Sequence, residues 1–156
     1  MDYNLGSIDP IGADMLVVPP EQISAAMALS PPRVSLADLD AAVREGLPKS
    51  ALREIVEHVV RTSDERRALM SRIVPEATFK RRKDRLTPDE SEKTERLARI
   101  FATANFVWDD EEDAREFLHT QHPLLAGNTP LDVSMTELGA KRVEEILWRL
   151  FYGMTA

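Results

Sequence analysis

Apolar positions recur along this chain at helical rather than strand spacing. Leu52, Ile55, Val56 and Val59 fall at i, i+3, i+4 and i+7, one face of an amphipathic helix. Leu36, Leu39 and Val43 form a shorter stripe between Ser35, a good N-cap, and Gly46, a helix stop. Pro48 sits where the first residue of the Leu52 helix belongs. Ala68, Leu69 and Ile73 mark a short helix capped by Ser63 and interrupted at Val74-Pro75; Glu76 to about Lys83 makes another around Phe79. Thr87-Pro88-Asp89-Glu90 combines a capping threonine, proline in the first turn and a carboxylate placed to close a capping box. The helix it starts carries Leu97, Ile100, Phe101, Ala104 and Trp108 on one stripe.

The last third continues the pattern. Asp109 to Asp113 open a helix that buries Ala114, Phe117 and Leu118 and ends before His122-Pro123. Leu125 to Pro130 turns the chain, with Gly127 and Asn128 expected in left-handed backbone, Thr129 as N-cap and Pro130 behind it. Thr136 starts a final helix with Gly139, Val143, Ile146, Leu147 and Leu150 on one side; a glycine there implies close approach by a neighbouring backbone. No alternation of useful length occurs, so the expected fold is all-α. Residues 1–34, rich in Pro, Gly and Ala, read as a partly disordered arm with a short helix near Pro20–Leu29. Residues 35–105 read as a first helical domain and 106–156 as a second.

Charge changes the picture. The net value of −7 conceals a segregation: residues 1–60 carry 4 basic and 9 acidic side chains, 61–100 carry 12 and 8, and 101–156 carry 4 and 10. A basic middle between acidic flanks matters because contact fields act locally, over a Debye length of about 8 Å. The absence of cysteine excludes disulfides and thiolate metal sites and fits a reducing compartment. Met15 to Val18 follows three acids and no base, unlike a signal peptide, and no apolar run approaches the roughly 18 residues of a membrane span. A cytoplasmic protein without membrane contact is expected.

Two short helices joined by a tight turn, the second one basic, form the pattern of a helix-turn-helix. The first is about Asp64–Arg72, the turn Ile73-Val74-Pro75, the second Glu76 to Lys83 followed by Arg85. Phe79 should point inward, with Ala77, Lys80, Arg81 and Asp84 outward. Glu76 and Thr78 stand where base-edge contacts usually sit, and Lys80, Arg81, Arg82, Lys83 and Arg85 are candidates for phosphate or guanine contact. The plainer alternative is a solvated basic face. The last helix adds Leu138, Trp148, Phe151 and Tyr152 away from its stripe, with Arg149 beside them, residue types that anchor protein interfaces. Three aromatics spread around one helix cannot all face one small core, so a partner or a second copy of the chain is expected over the remainder. His119 and His122 have no third ligand at diagnostic spacing, and no nucleophile–base motif or phosphate loop is present; no metal, no cofactor and no catalytic residue is expected.

Taken together, Gly46-Leu47-Pro48, Thr78-Phe79-Lys80-Arg81-Arg82-Lys83, Arg85-Leu86-Thr87-Pro88-Asp89-Glu90-Ser91 and Arg96-Leu97-Ala98-Arg99-Ile100 resemble antitoxins of the Xre/MbcA/ParS type. Pro123-Leu124-Leu125-Ala126-Gly127-Asn128-Thr129-Pro130-Leu131, spaced before Thr136-Glu137-Leu138-Gly139-Ala140, is the most specific part of a resemblance covering roughly residues 46–156. It implies an Xre-like helix-turn-helix domain followed by a small helical toxin-binding domain. It also implies a RES-domain toxin that consumes NAD or ADP-ribosylates a protein, promoter DNA bound as a repressor, and a homodimer within a larger assembly. Asn128, Trp148, Arg149, Tyr152, Gly153 and Met154 are the positions expected to meet the toxin. A stand-alone helix-turn-helix regulator whose C-terminal part only dimerises is the alternative, and a protein-binding inhibitor with a merely solvated basic helix is the third.

Overall fold

The computed structural model describes residues 17–154; the first sixteen residues of the expected arm and the final two positions lie outside it. The elements are α1 (Pro20–Ala26), α2 (Leu36–Glu45), α3 (Lys49–Val59), α4 (Ser63–Ile73), α5 (Glu76–Arg81), α6 (Pro88–Trp108), α7 (Glu111–His119), a 3-10 turn (Pro123–Leu125), α8 (Pro130–Val133) and α9 (Glu137–Phe151). The described residues carry no named strand, only one isolated antiparallel bridge between Pro48 and Arg85. The all-α expectation holds.

The architecture is organised around α6, which packs against α1, α2, α3, α4, α7 and α9. Its capping box forms as its sequence implies: Thr87 accepts from the Glu90 N–H at 3.2 Å while the Glu90 carboxylate accepts from the Thr87 N–H at 2.9 Å. From Leu97 to Ala104 only Arg99 is not buried, so the helix has almost no solvent face along its middle. Thr94 and Thr103 are also buried, each donating its hydroxyl to the carbonyl four residues back. Ser91 accepts from the Leu47 N–H at 2.8 Å, tying the α2–α3 loop to α6.

The described part of the arm is docked. Val18, Ile23 and Met27 are among the most completely buried side chains, and α1, started by Pro20, packs on α2, α3 and α6. Other departures are local. The cap of α4 is Thr62 rather than Ser63, because threonine three residues before Glu65 closes a second capping box. Pro48 is the N-cap of α3 rather than its first residue. Ala68 is exposed, since Leu69 and Ile73 alone define the inward face of α4. Trp108, at the end of the α6 stripe, is 41% exposed: the helix stops at Asp109 in left-handed backbone, and the indole reaches past the core to Phe117, 6.1 Å between ring centroids.

In the turn after α7 the left-handed residues are Ala126 and Gly127, not Asn128. Asn128 instead closes the turn with three bonds: its N–H and its side-chain amide both reach the Leu125 carbonyl, and its own carbonyl accepts from His122. Thr129 caps α8 and Thr136 caps α9 as expected. Gly139 is buried, and a Cβ placed on it would overlap the Val133 carbonyl. The approach of α8 to α9 therefore requires a residue with no side chain.

Gly139→Ala should lower stability by about 1–3 kcal/mol, despite alanine's better helix propensity of about 1 kcal/mol. Urea denaturation checks this; an unchanged midpoint would mean that α8 moves aside without cost.

Candidate functional site

The basic helix α5 is only six residues long and starts behind Pro75, whose φ of −54° already suits the turn into a helix. It was expected to run to Lys83; it ends at Arg81 because the following chain turns extended and pairs with the α2–α3 loop. Lys49 donates to the Asp84 carbonyl at 3.0 Å and Leu86 to the Leu47 carbonyl at 2.8 Å. Gly46 permits this pairing: its φ of +97° suits glycine, and a Cβ there would strike the Leu86 carbonyl.

That pairing divides the basic cluster into two sets. Arg82 forms a fork with Glu90, Nε and Nη2 each 3.1 Å from a carboxylate oxygen, and Arg85 donates to the Gly46 carbonyl at 2.8 Å. Both are engaged in holding the segment that follows α5 onto the caps of α2 and α6. Arg81 and Lys83 are exposed; among the described residues Arg81 reaches only the Thr78 hydroxyl, at 3.4 Å. Lys80 pairs with Glu76 at 3.3 Å along the exposed side, and Thr78 is half-buried. Phe79 is buried, as expected, and two cations lie over its ring: Lys49 Nζ at 4.4 Å and the Arg53 guanidinium at 5.1 Å.

At the other end, the C-terminus of α9 closes in a Schellman motif. Gly153, at φ +69°, donates to the Leu150 carbonyl at 3.1 Å and Met154 to the Arg149 carbonyl at 2.8 Å. The motif fixes an exposed apolar patch of Phe151, Tyr152 and Met154. Trp148 lies beneath the patch, 6% exposed and packed against Phe106 and Phe151. Trp148, Arg149, Tyr152 and Met154 line one groove of about 600 Å³ together with Lys141, Glu144 and Glu145. Asn128 is outside that lining, in the turn before α8.

Between the two ends lies an ionic cluster that sequence patterning does not reveal. From α6, Arg96 reaches Glu137 at 3.0 Å and the Met135 carbonyl at 2.9 Å. Arg99 pairs with Glu137 at 3.0 Å and lies 2.8 Å from Glu144 of α9, although that last contact lacks hydrogen-bond geometry. Among the described residues Glu95 has one ion-pair contact, to Arg99 at 3.8 Å. Burial pushes the Glu95 carboxyl above its ordinary range, with Arg99 offsetting only in part, and Glu144 is raised for the same reasons. Burial also opposes the charge on Glu90, but the Arg82 fork and the Thr87 N–H hold its carboxyl below the ordinary range. The histidines point elsewhere: His119 Nε2 meets the Val59 carbonyl at 2.9 Å and His122 Nδ1 accepts from the Leu124 N–H.

With this geometry in hand, likeness to known proteins decides the family. Residues 38–99 match the domain described as antitoxin Xre-like helix-turn-helix, and residues 103–153 match the antitoxin Xre/MbcA/ParS C-terminal toxin-binding domain. A relative described as antitoxin Xre, from Pseudomonas putida, is 32% identical over 114 residues, spanning 71% of this chain and 69% of its own length. The chain belongs to the Xre/MbcA/ParS antitoxin family. In this antitoxin the helix-turn-helix domain runs from α2 to the middle of α6, and the toxin-binding domain from the middle of α6 to the Schellman motif. Arg96 and Arg99 stand at the end of the first domain and Glu137 and Glu144 within the second, so the ionic cluster spans the antitoxin's two modules. No helix among the antitoxin's described residues is long and apolar enough to cross a membrane.

The two carboxylates with opposite shifts should respond oppositely to substitution. Glu95→Gln removes a charge disfavoured in the folded state, so at pH 7 the antitoxin should gain on the order of 1 kcal/mol. Glu90→Gln removes a charge favoured in the folded state and should lower the melting temperature at pH 7. Both differences should close as pH falls, the first through the raised Glu95 value and the second below the ordinary carboxylate range, because the wild-type groups then carry protons. Thermal melts from pH 3 to pH 8 check the pair; equal pH profiles for wild type and both variants would refute it.

Proposed function

We propose that this antitoxin neutralises a RES-domain toxin, one that consumes NAD or ADP-ribosylates a protein, and represses its own operon through α5. The observation that carries the reading is the pairing of two unlike surfaces on one core. Arg81 at the end of a short helix and Lys83 just beyond it are exposed with few described partners, while Phe151, Tyr152 and Met154 form an exposed patch at the far end of α9. Aromatic side chains of that kind, set on a rigid helix end, fit the desolvated anchors that dominate protein interfaces. Arg149 lies beside them and pairs with Glu145 at 2.7 Å, so it supplies the polar rim of the groove. Trp148 supports the patch from below, and Gly153 shapes it. Asn128 completes the expected set through the turn that positions α8 against α9.

On the DNA side, Glu76, Thr78, Lys80, Arg81 and Lys83 face the duplex, with Arg82 and Arg85 setting the angle of α5 rather than touching bases. The antitoxin acts in the cytoplasm as a homodimer within the toxin complex, uses no cofactor and catalyses no reaction. The toxin-binding face hinders access to the toxin's NAD site, with the Tyr152–Met154 end nearest to it.

The test is co-expression with the protein encoded beside it, followed by an NAD-consumption assay with and without the antitoxin. Phe151→Ala combined with Tyr152→Ala should weaken the complex by about 1000-fold, at hot-spot losses of about 2 kcal/mol each, and restore toxin activity. Retained inhibition would move the interface off α9. Failure to form any complex would favour a regulator whose C-terminal face pairs with a second copy. Separately, Arg81→Ala with Lys83→Ala should reduce the salt dependence of promoter binding by about two units of log–log slope; an unchanged slope would remove these residues from the DNA contact.

A further inference from the structure

Beside α5 lies a cleft of about 430 Å³ between α3, α4 and α5. Its rim carries five cations, Lys49 and Arg53 from α3, Arg66 and Arg67 from α4, and Lys80 from α5, against one acid, Glu76, which already pairs with Lys80. Its floor is apolar, made by Met70, Val74 and Phe79. A surface carrying this much like charge is unfavourable unless something neutralises it, and little in the described fold does. Arg53 and Arg67 form no ion pair with a described residue, and Arg66 lies 3.8 Å from Glu57, beyond hydrogen-bonding distance. Lys49 directs one N–H to the Arg82 carbonyl at 3.0 Å, which anchors its ammonium over Phe79. Held against one ring, Lys49 and Arg53 lose less freedom on meeting an anion than cations free in solvent would.

We infer that this cleft seats the sugar–phosphate backbone of the strand running beside α5. The inference rests on the reading of α5 as a DNA-contact helix and adds residues that the helix-turn-helix pattern does not assign. Glu76, Phe79 and Lys80 belong both to the cleft wall and to α5, so a duplex engaging the outer side of α5 brings a row of phosphates to the cleft rim. The major groove is only about 12 Å wide, and a helix lying in it has phosphates along both walls. The cations come from three helices, which suits a row of charges rather than a single small anion. An apolar floor beneath them suits the deoxyribose faces between phosphates. Phosphate contacts fix register without reading sequence, so the cleft holds the duplex while Arg81 of α5 and Lys83 just after it reach the duplex.

The experiment uses the full chain and two duplexes, its own promoter region and a mixed-sequence control. Affinities are measured between 50 and 200 mM salt for wild type, for Arg66→Gln with Arg67→Gln, and for Arg53→Lys. Two lost phosphate contacts should flatten the log–log salt slope by about 1.8, so the fall in affinity across that range becomes about tenfold smaller. The ratio of promoter to control affinity should stay unchanged, because these contacts carry no sequence information. Arg53→Lys keeps the charge and should retain most of the slope, which separates charge from folding; circular dichroism of each variant checks the helices. A double variant with wild-type slope and affinity overturns the cleft assignment while leaving α5 as reader. Wild type that binds neither duplex overturns the DNA reading and the cleft with it. A double variant that keeps DNA binding but releases the toxin overturns the proposal and gives the cleft to a protein partner.

Discussion

The constraint on which the rest depends is that α6 has almost nowhere to show water along its middle. A helix of 21 residues extends about 31 Å, and this one is sheathed by helices from both ends of the chain. Burial of that kind removes the usual division into an apolar and a polar face, so even its threonines must satisfy their hydroxyls on the helix's own carbonyls. Its N-terminus is equally constrained. One carboxylate, Glu90, closes the cap and also receives the Arg82 fork, so the helix start and the exit from α5 are settled by the same group. The orientation of the basic helix thus follows from a cap on a different helix.

The same economy governs the α2–α3 loop. Leu47 donates to Ser91 and accepts from Leu86, Gly46 accepts from Arg85, and the Cβ-free Gly46 lets the strands of chain approach. The α2–α3 loop, the Arg85–Leu86 stretch and the start of α6 meet there without forming a sheet. The arginine fork holds the start of α6 with charge and the Arg96–Arg99 cluster holds one side of its middle, while the other residues from Leu97 to Ala104 are held by packing.

What could be read from the sequence was whatever depends on neighbours within one helical turn. The Thr87–Glu90 box, the Thr129 and Thr136 caps, the inward Leu52–Val59 face and the Gly139 close approach are all local signatures, and the fold reproduces them. Ser63 in place of Thr62 was a one-residue misreading of the same kind of signal. Long-range choices were not legible. Arg82 and Arg85 look identical to Arg81 and Lys83 in the sequence, and only the pairing of residues 84–86 with the α2–α3 loop sets them apart. The cleft cations were hidden because Arg66 and Arg67 follow Asp64 and Glu65, which cancel them on paper but do not line the cleft. Among the C-terminal aromatics, the spacing indicated that not all could be buried but not that Trp148 would be the inner one.

The two family modules meet at residues 99 and 103, inside α6 rather than in a loop. Ile100, Phe101 and Ala102, the three residues of the seam, are buried, and they touch a core assembled from both sides. Recombination between related genes at this seam would therefore not exchange independent parts. A hybrid would carry one parent's half-helix against the other parent's packing partners, and the DNA-binding and toxin-binding traits of the two modules would be inherited together. Diversification of either trait is then expected to proceed by substitution at the two ends of the molecule, where side chains are free to change without disturbing the rod that joins them.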